Sequence, residues 1–260
     1  LILNLSVQIL GCGSSSGVPA VGNNWGACNP NNPRNRRLRS SIHVKTQKTS
    51  ILIDATPDLR QQLLNANITS LDAVFITHTH ADHINGIDDF RFLNVLMKKH
   101  INLYASEKSI IDISKRFSYV FDELSPEANG FYYKPCLIPN IVKKEFILNE
   151  LRVLSFPQNH GFSESTGFRI NNMAYCTDVI DFSEESFELL YGLDLLIIDC
   201  LRFKPHKTHA HLDKVLIWID ELKPKKSVLT HMNYDVDYDH LNSLLPSNCE
   251  AAYDGLILEC

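Results

Sequence analysis

An α/β layered domain is the fold class that this 260-residue sequence predicts. Three observations predict it. Short apolar or alternating runs recur along the whole chain. Stretches with apolar residues at helical spacing lie between them. Most of the short runs are bounded by Gly, Pro, Asn, Asp or His, residue types that favour turns and strand ends. Strands that alternate with helices argue for sheets covered by helices. Apolar residues make up 44% and charged residues 21%, which is enough for a core and unlike a disordered chain.

The first strand is expected at 7–10, inside the opening LILNLSVQILG. That opening is too short to span a bilayer, and it lacks the basic leader and small-residue cleavage site of a signal peptide. Further strands are expected at 41–45, 50–54, 73–77, 102–105, 151–156, 166–170, 173–177, 193–199, 227–230 and 250–254. A helix is expected over 56–65, where Thr56 and Pro57 lead and Leu59, Leu63 and Leu64 share a face. Segments 110–124 and 183–191 have similar periodicity. In 212–222, Leu212, Val215, Leu216 and Ile219 are helically spaced, and the pattern stops before Pro224. Residues 11–39 and 125–140 read as long loops, the second with three prolines, and loops of that length in a compact domain are often functional. With no linker composition and no internal repeat, a single domain over 1–260 is expected.

The charge balance is −5, with no obvious basic face for holding phosphates along a long nucleic acid. A small phosphorylated substrate remains compatible with it. The seven cysteines are odd in number, widely spaced and free of CxxC, which fits a reducing cytoplasm better than a disulfide framework. No run reaches the roughly eighteen apolar residues of a membrane helix, so no membrane span is expected and a cytoplasmic location is. The sequence leaves a homodimer open.

The strongest chemical signal is Thr77-His78-Thr79-His80-Ala81-Asp82-His83, directly after the apolar run AVFIT. On an extended backbone His78 and His80 point the same way, because side chains repeat with period two. A turn into a helix next would bring Asp82 and His83 across from them. Imidazole suits zinc and iron, and an added carboxylate broadens the choice towards manganese. Chance histidines in a polar loop rarely give this spacing.

These residues form the HxHxDH motif, and the chain resembles the metallo-β-lactamase superfamily almost end to end. The resemblance implies an αββα sandwich of two βα halves, here roughly 1–150 and 151–260. It implies three later ligands as well: His160 in QNHG, Asp178 in YCTD and His231 in LTHM. In the family's pattern one divalent metal sits on His78, His80 and His160. A second sits on Asp82, His83 and His231, with Asp178 between them. Zinc and manganese both suit such a set. Asp54, closing the run ILID, matches an acidic residue that supports the metal site from behind, and orienting a ligating imidazole is what such partners do. Asp88 and Asp89 either do likewise or cap the next helix.

A finer resemblance lies in Gly11-Cys12-Gly13-Ser14-Ser15-Ser16-Gly17-Val18-Pro19, in Gly86-Ile87-Asp88-Asp89-Phe90-Arg91 and in Lys207-Thr208-His209-Ala210-His211. These segments are similar to the branch holding ribonuclease Z and the cyclic-phosphate phosphodiesterase of the carbon–phosphorus lyase pathway. The resemblance makes His209 a general acid or a phosphate-positioning residue. The bland reading of His206 and His211 is that of solvated loop residues. Phosphodiesterase relatives often carry a structural zinc held by several cysteines of the early loop and by a histidine three residues after the last ligand. Here 21–33 retains only Cys28, and Tyr234 stands at the later position, so no structural zinc is expected. Arg34, Arg36, Arg37 and Arg39 either contact phosphate or form a solvated basic loop. There is no GxSxG elbow, so serine hydrolysis is not expected.

The expectation from sequence is a binuclear metal-dependent hydrolase. It is expected to be a phosphodiesterase for a small cyclic nucleotide or ribose phosphate, with attack by a metal-held hydroxide, Asp82 orienting that group and His209 protonating the leaving oxygen. The alternatives are ribonuclease Z-like tRNA 3′ processing, disfavoured by the acidic charge and the absence of a Gly-rich basic arm, and thioester or lactone hydrolysis.

Overall fold

Among the described residues the eleven expected strands, joined by three more, assemble into two seven-stranded sheets that share one buried apolar layer. The computed structural model describes residues 5–123 and 134–260. The first sheet contains β1 (Ser6–Gly11), β2 (Ser41–Lys45), β3 (Ser50–Ile53), β4 (Ala73–Phe75), β5 (Ile101–Ala105) and β6 (Leu137–Ile141). The second contains β7 (Glu145–Leu148), β8 (Leu151–His160), β9 (Ser163–Ile170), β10 (Met173–Cys176), β11 (Leu195–Asp199), β12 (Lys226–Thr230) and β13 (Cys249–Ala251). The last strand, β14 (Ile257–Glu259), returns to the first sheet and pairs antiparallel with β1.

Each sheet begins antiparallel and ends parallel. In the first, β1 to β3 form antiparallel pairs and β3 to β6 run parallel. In the second, β7 to β10 are antiparallel and β10 to β13 parallel. Parallel neighbours need crossover connections, and the helices lie in them. In the first half these are α1 (Leu59–Asn65), α2 (Ala81–Ile84), α3 (Phe90–Met97) and α4 (Glu107–Arg116); in the second, α5 (Glu184–Glu188), α6 (Leu212–Leu222) and α7 (Tyr238–Leu244).

Alternation within the strands builds the layers. Val7, Ile9, Ile51, Ile53, Ala73 and Phe75 belong to the core shared with the second sheet. Their neighbours Leu10, Leu52, Val74 and Ile76 pack instead with Leu59, Leu63, Phe90, Leu93 and Ile113 of the helices. β11 is buried on both faces, with Val215, Trp218, Ile219 and Leu222 of α6 in the same cluster. The layer order is therefore helix, sheet, sheet, helix: the αββα arrangement of an α/β sandwich. Among the described residues no helix is long and apolar enough to cross a membrane.

The departures from expectation have local causes. Residues 137–140, expected as loop, lie in β6, the edge strand of its sheet, where Pro139 has no ladder bond to break. Part of that expected loop, 125–133, falls outside the described residues. β7 and β14 are also short edge strands, with too little periodicity to signal themselves. α4 starts three residues before its expected limit because the Ser106 side chain accepts the Ser109 N–H, and it stops at Arg116. α1 starts later than expected: the Thr56 hydroxyl accepts the Asp58 N–H, and a turn forms there first. α3 and α7 were not expected. The second is capped by Asp237, which accepts from the His240 N–H.

Phe75 joins the two sheets. Its buried ring lies 5.1 Å from Phe168 of β9 and 5.3 Å from Tyr104 of β5. Phe75→Ala is expected to cost about 3–5 kcal/mol, read as a lower urea midpoint with an unchanged slope. A loss below about 1 kcal/mol would contradict the joining role assigned to this ring.

Candidate metal centre

The site is built at the carboxyl ends of parallel strands, the usual position for ligand groups in sheets of this kind. After β4 the chain bends at Thr77, runs without regular structure through His78 and Thr79 to an extended His80, and then enters α2. The period-two spacing puts the rings of His78 and His80 4.4 Å apart. α2 carries Asp82 and His83. Asp178 follows β10, Asp199 ends β11 and His231 follows β12, while His160 ends β8 in the neighbouring hairpin. Asp54, Asp178 and His231 have φ of +67°, +53° and +58°, left-handed values that non-glycine residues seldom adopt. Each marks the point where a strand ends and its side chain turns into the centre. Strain of this kind is characteristic of functional sites.

All seven expected ligands converge, and Asp178 stands at the centre. Its Oδ2 lies 3.4 Å from His160 Nε2 and 3.6 Å from His78 Nε2. Its Oδ1 lies 3.2 Å from both His83 Nε2 and His231 Nε2. Asp82 Oδ2 is 3.2 Å from His83 Nε2 and 3.6 Å from His231 Nε2. His80 Nδ1 is 3.3 Å from His160 Nε2. Three overlapping donor groups result among the described residues: His78, His80, His160 and Asp178; Asp82, His83 and His231; and Asp178, His209 and His231, with donor atoms within 4.8 Å of one another in each. The Nε2 atoms of His78, His83 and His231 are buried without a hydrogen-bond partner. Buried polar atoms are normally satisfied. Several unpaired imidazole nitrogens aimed at one small volume fit a divalent cation.

The imidazoles are held from behind. Asp54 Oδ2 accepts from His83 Nδ1 at 2.7 Å, while its carboxylate also takes the Thr77 N–H and hydroxyl. His160 Nδ1 donates to the Thr208 carbonyl at 2.8 Å. These bonds fix the tautomers that leave Nε2 free to bind metal. Asp54 therefore does what its place in the sequence implied. Asp88 and Asp89 do not: Asp88 pairs with Arg91 and Asp89 accepts the Arg60 N–H, and neither caps α3 through its side chain.

His209 lines the same cavity of about 340 Å³, together with Ser15, His80, Asp82, His160, Phe162, Ser163, Asp178, Thr208 and His231. His206 and His211 are absent from that lining. His206 accepts from the Thr208 N–H, and His211 sits at the start of α6. The residue that sequence reading missed is Asp199. It accepts from His209 Nδ1 at 2.8 Å and turns Nε2 to within 3.9 Å of Asp178. Its signal, an acid closing the apolar run LLIID, is the one that singled out Asp54 in ILID.

The early arginines are already engaged. Arg39 pairs with Asp58, Arg34 lies over Tyr238 and Tyr253, and Arg36 lies over Trp25. Arg37 is buried and donates to the Asn233 carbonyl and to Asn35 Oδ1, 3.8 Å from Cys28 Sγ. They staple the loop, and none lines the cavity.

Burial works against charge on His231, but the Asp178 and Asp82 carboxylates outweigh it and push its pKa up to about 9. Burial likewise opposes the Asp178 carboxylate, yet His231, His83 and His78 hold it well below the usual range. In the metal-free protein the raised His231 value contributes stability that is full below its ordinary value of 6.5 and is lost as pH rises through about 9. A ligating imidazole must give up that proton. Apparent zinc affinity is therefore expected to rise from pH 6 towards 9, with proton release near neutral pH in calorimetry. A pH-independent affinity would contradict this electrostatic picture.

A family model for the beta-lactamase superfamily domain matches residues 49–232. A protein named octanoyltransferase from Porphyromonas gingivalis is 35% identical over 254 residues, covering 95% of this chain but 50% of its own length. The chain thus spans half of that relative. A crystal structure described as a new diphosphatase from the PhnP family is 35% identical, with a TM-score of 0.90 over 99% of this chain and 98% of its own. The short form of human tRNase Z has a TM-score of 0.68 at 17% identity, over 97% of this chain and 98% of its own, a likeness of fold alone. The chain belongs to the metallo-β-lactamase superfamily.

Proposed function

We propose that this protein is a phosphodiesterase acting on a small cyclic nucleotide or ribose phosphate, with two divalent ions, zinc or manganese, in the centre. The first ion is assigned to His78, His80 and His160, the second to Asp82, His83 and His231, with Asp178 between them. The observation that carries the reading is the His209–Asp199 pair, hydrogen-bonded at 2.8 Å at the edge of the donor cluster. An alkoxide leaving from phosphorus needs a proton, and this pair is built to deliver one.

When bound, the two ions supply Lewis acidity towards a phosphoryl oxygen and make water a competent nucleophile at neutral pH. Asp82, reaching into the cavity, orients the attacking water and accepts its proton. Asp199 keeps His209 Nδ1 as a donor, so that the imidazolium presents its second proton on Nε2. As the water oxygen bonds to phosphorus, the bond to the leaving oxygen breaks, and the Nε2 proton passes to that oxygen. Ser15 and Ser163 line the cavity and bring hydroxyl groups to the rest of the phosphate, while the Thr208 hydroxyl is engaged with His206 Nδ1.

Among the described residues the lining contains no lysine or arginine. A diester with one negative charge suits such a cavity better than a more highly charged diphosphate. The name of the Porphyromonas gingivalis relative points to acyl chemistry, but it belongs to a protein twice as long as the matched segment. Apart from Phe162, the lining is hydroxyl, imidazole and carboxylate, a poor bed for an eight-carbon chain. The acidic charge and the engaged arginines favour a small substrate over tRNA.

Metal-loaded protein is expected to hydrolyse bis(p-nitrophenyl) phosphate, and Asp82→Ala to abolish turnover. His209→Ala is expected to lower kcat by about 10²–10⁴-fold on a nucleoside cyclic phosphate, and far less with the good nitrophenolate leaving group. Asp199→Asn would follow His209→Ala in that dependence on the leaving group. Turnover of octanoyl thioesters with none of phosphodiesters would overturn the proposal.

A further inference from the structure

Phe162 is 88% exposed, yet it lines the cavity, two residues after His160. A large apolar ring left in water is unfavourable, and among the described residues it is the one hydrocarbon ring of the lining. The turn that presents it is held rigidly. Gly161 has φ +72°, and a Cβ there would lie 2.6 Å from the Lys207 carbonyl oxygen and from Thr208 Cγ2. Only glycine lets the turn press so closely against the loop that leads to His209. The Gly161 N–H donates to Asn159 Oδ1 at 2.8 Å, and His160 Nδ1 donates to the Thr208 carbonyl. Asn159 in turn pairs through its backbone with Ile180 and Asp181. The backbone that presents the ring is therefore held beside the cavity, while most of the ring's surface is left exposed among the described residues.

We propose that Phe162 is the platform on which a planar aromatic group of the substrate, the base of a nucleoside cyclic phosphate, stacks while its phosphodiester faces His209. This rests on the phosphodiesterase reading and narrows it from ribose phosphates in general to nucleotides. Stacking on an exposed aromatic ring tolerates any base, which suits a site whose polar groups are committed to the phosphate.

The test compares adenosine 2′,3′-cyclic phosphate with glycerol 1,2-cyclic phosphate, which share the five-membered phosphodiester and differ in the base. Phe162→Ala in the metal-loaded enzyme is expected to raise KM for the adenosine substrate on the order of tenfold more than for the glycerol one, with kcat for the former maintained. Phe162→Trp is expected to restore the preference. An equal change on both substrates, or none on either, would overturn the platform. A second readout needs no turnover: indole fluorescence of zinc-loaded Phe162→Trp, read against the wild type with its Trp25 and Trp218, which is expected to be quenched by adenosine 5′-monophosphate and unchanged by glycerol phosphate. If the wild type hydrolyses neither cyclic phosphate, the phosphodiesterase reading fails by itself. Selective quenching would still support the platform, and its absence at millimolar nucleotide would overturn it.

Discussion

One buried carboxylate organises the centre. Asp178 presents one oxygen to His78 and His160 and the other to His83 and His231, all within 3.6 Å. Without compensation, so many imidazoles in a buried pocket would repel one another whenever protonated and leave nitrogens unsatisfied when neutral. The carboxylate holds the two groups together and keeps them distinct. Asp82 repeats the arrangement on one side only, between His83 and His231. That asymmetry gives the two halves of the centre different chemistry: one is rich in imidazole, the other holds a carboxylate that reaches the cavity.

The fold exists to bring these groups to one place. Each sheet contributes parallel strands whose carboxyl ends open towards the centre, and the left-handed residues Asp54, Asp178 and His231 sit where those strands stop. Phe75 in the shared core lies three residues before His78. Packing between the sheets is thus coupled along one short stretch of chain to ligand position. The supporting bonds run from strand ends to the segments that follow in each half: Asp54 to His83 in α2, and Asp199 to His209 in the loop before α6. Two halves of similar design supply one acid each to steady one imidazole each.

Much of this was legible in the sequence. His78, His80, Asp82 and His83 announce themselves because period-two spacing and a strand-to-helix turn act over a few residues. His160, Asp178 and His231 are legible only through their order and their places at strand ends, since a lone histidine carries little information. Asp199 was readable by the pattern that gave Asp54, but pairing it with His209 depends on how a parallel strand and the next loop meet in space. The early arginines were ambiguous because partners such as Asp58, Tyr238 and Asn233 lie far along the chain. Edge strands such as β6 were hidden by prolines that an edge tolerates. Phe162 has no motif at all, and its meaning comes from exposure beside a cavity.

The central claim is that two cations flank Asp178. The most direct measurement is an anomalous-difference map from crystals of the manganese- or zinc-loaded protein. Two peaks are expected, about 3.5–4 Å apart, one within the His78, His80 and His160 group and one within the Asp82, His83 and His231 group, with Asp178 between them. A single fully occupied peak, or a pair that leaves Asp178 uncoordinated, would contradict the account.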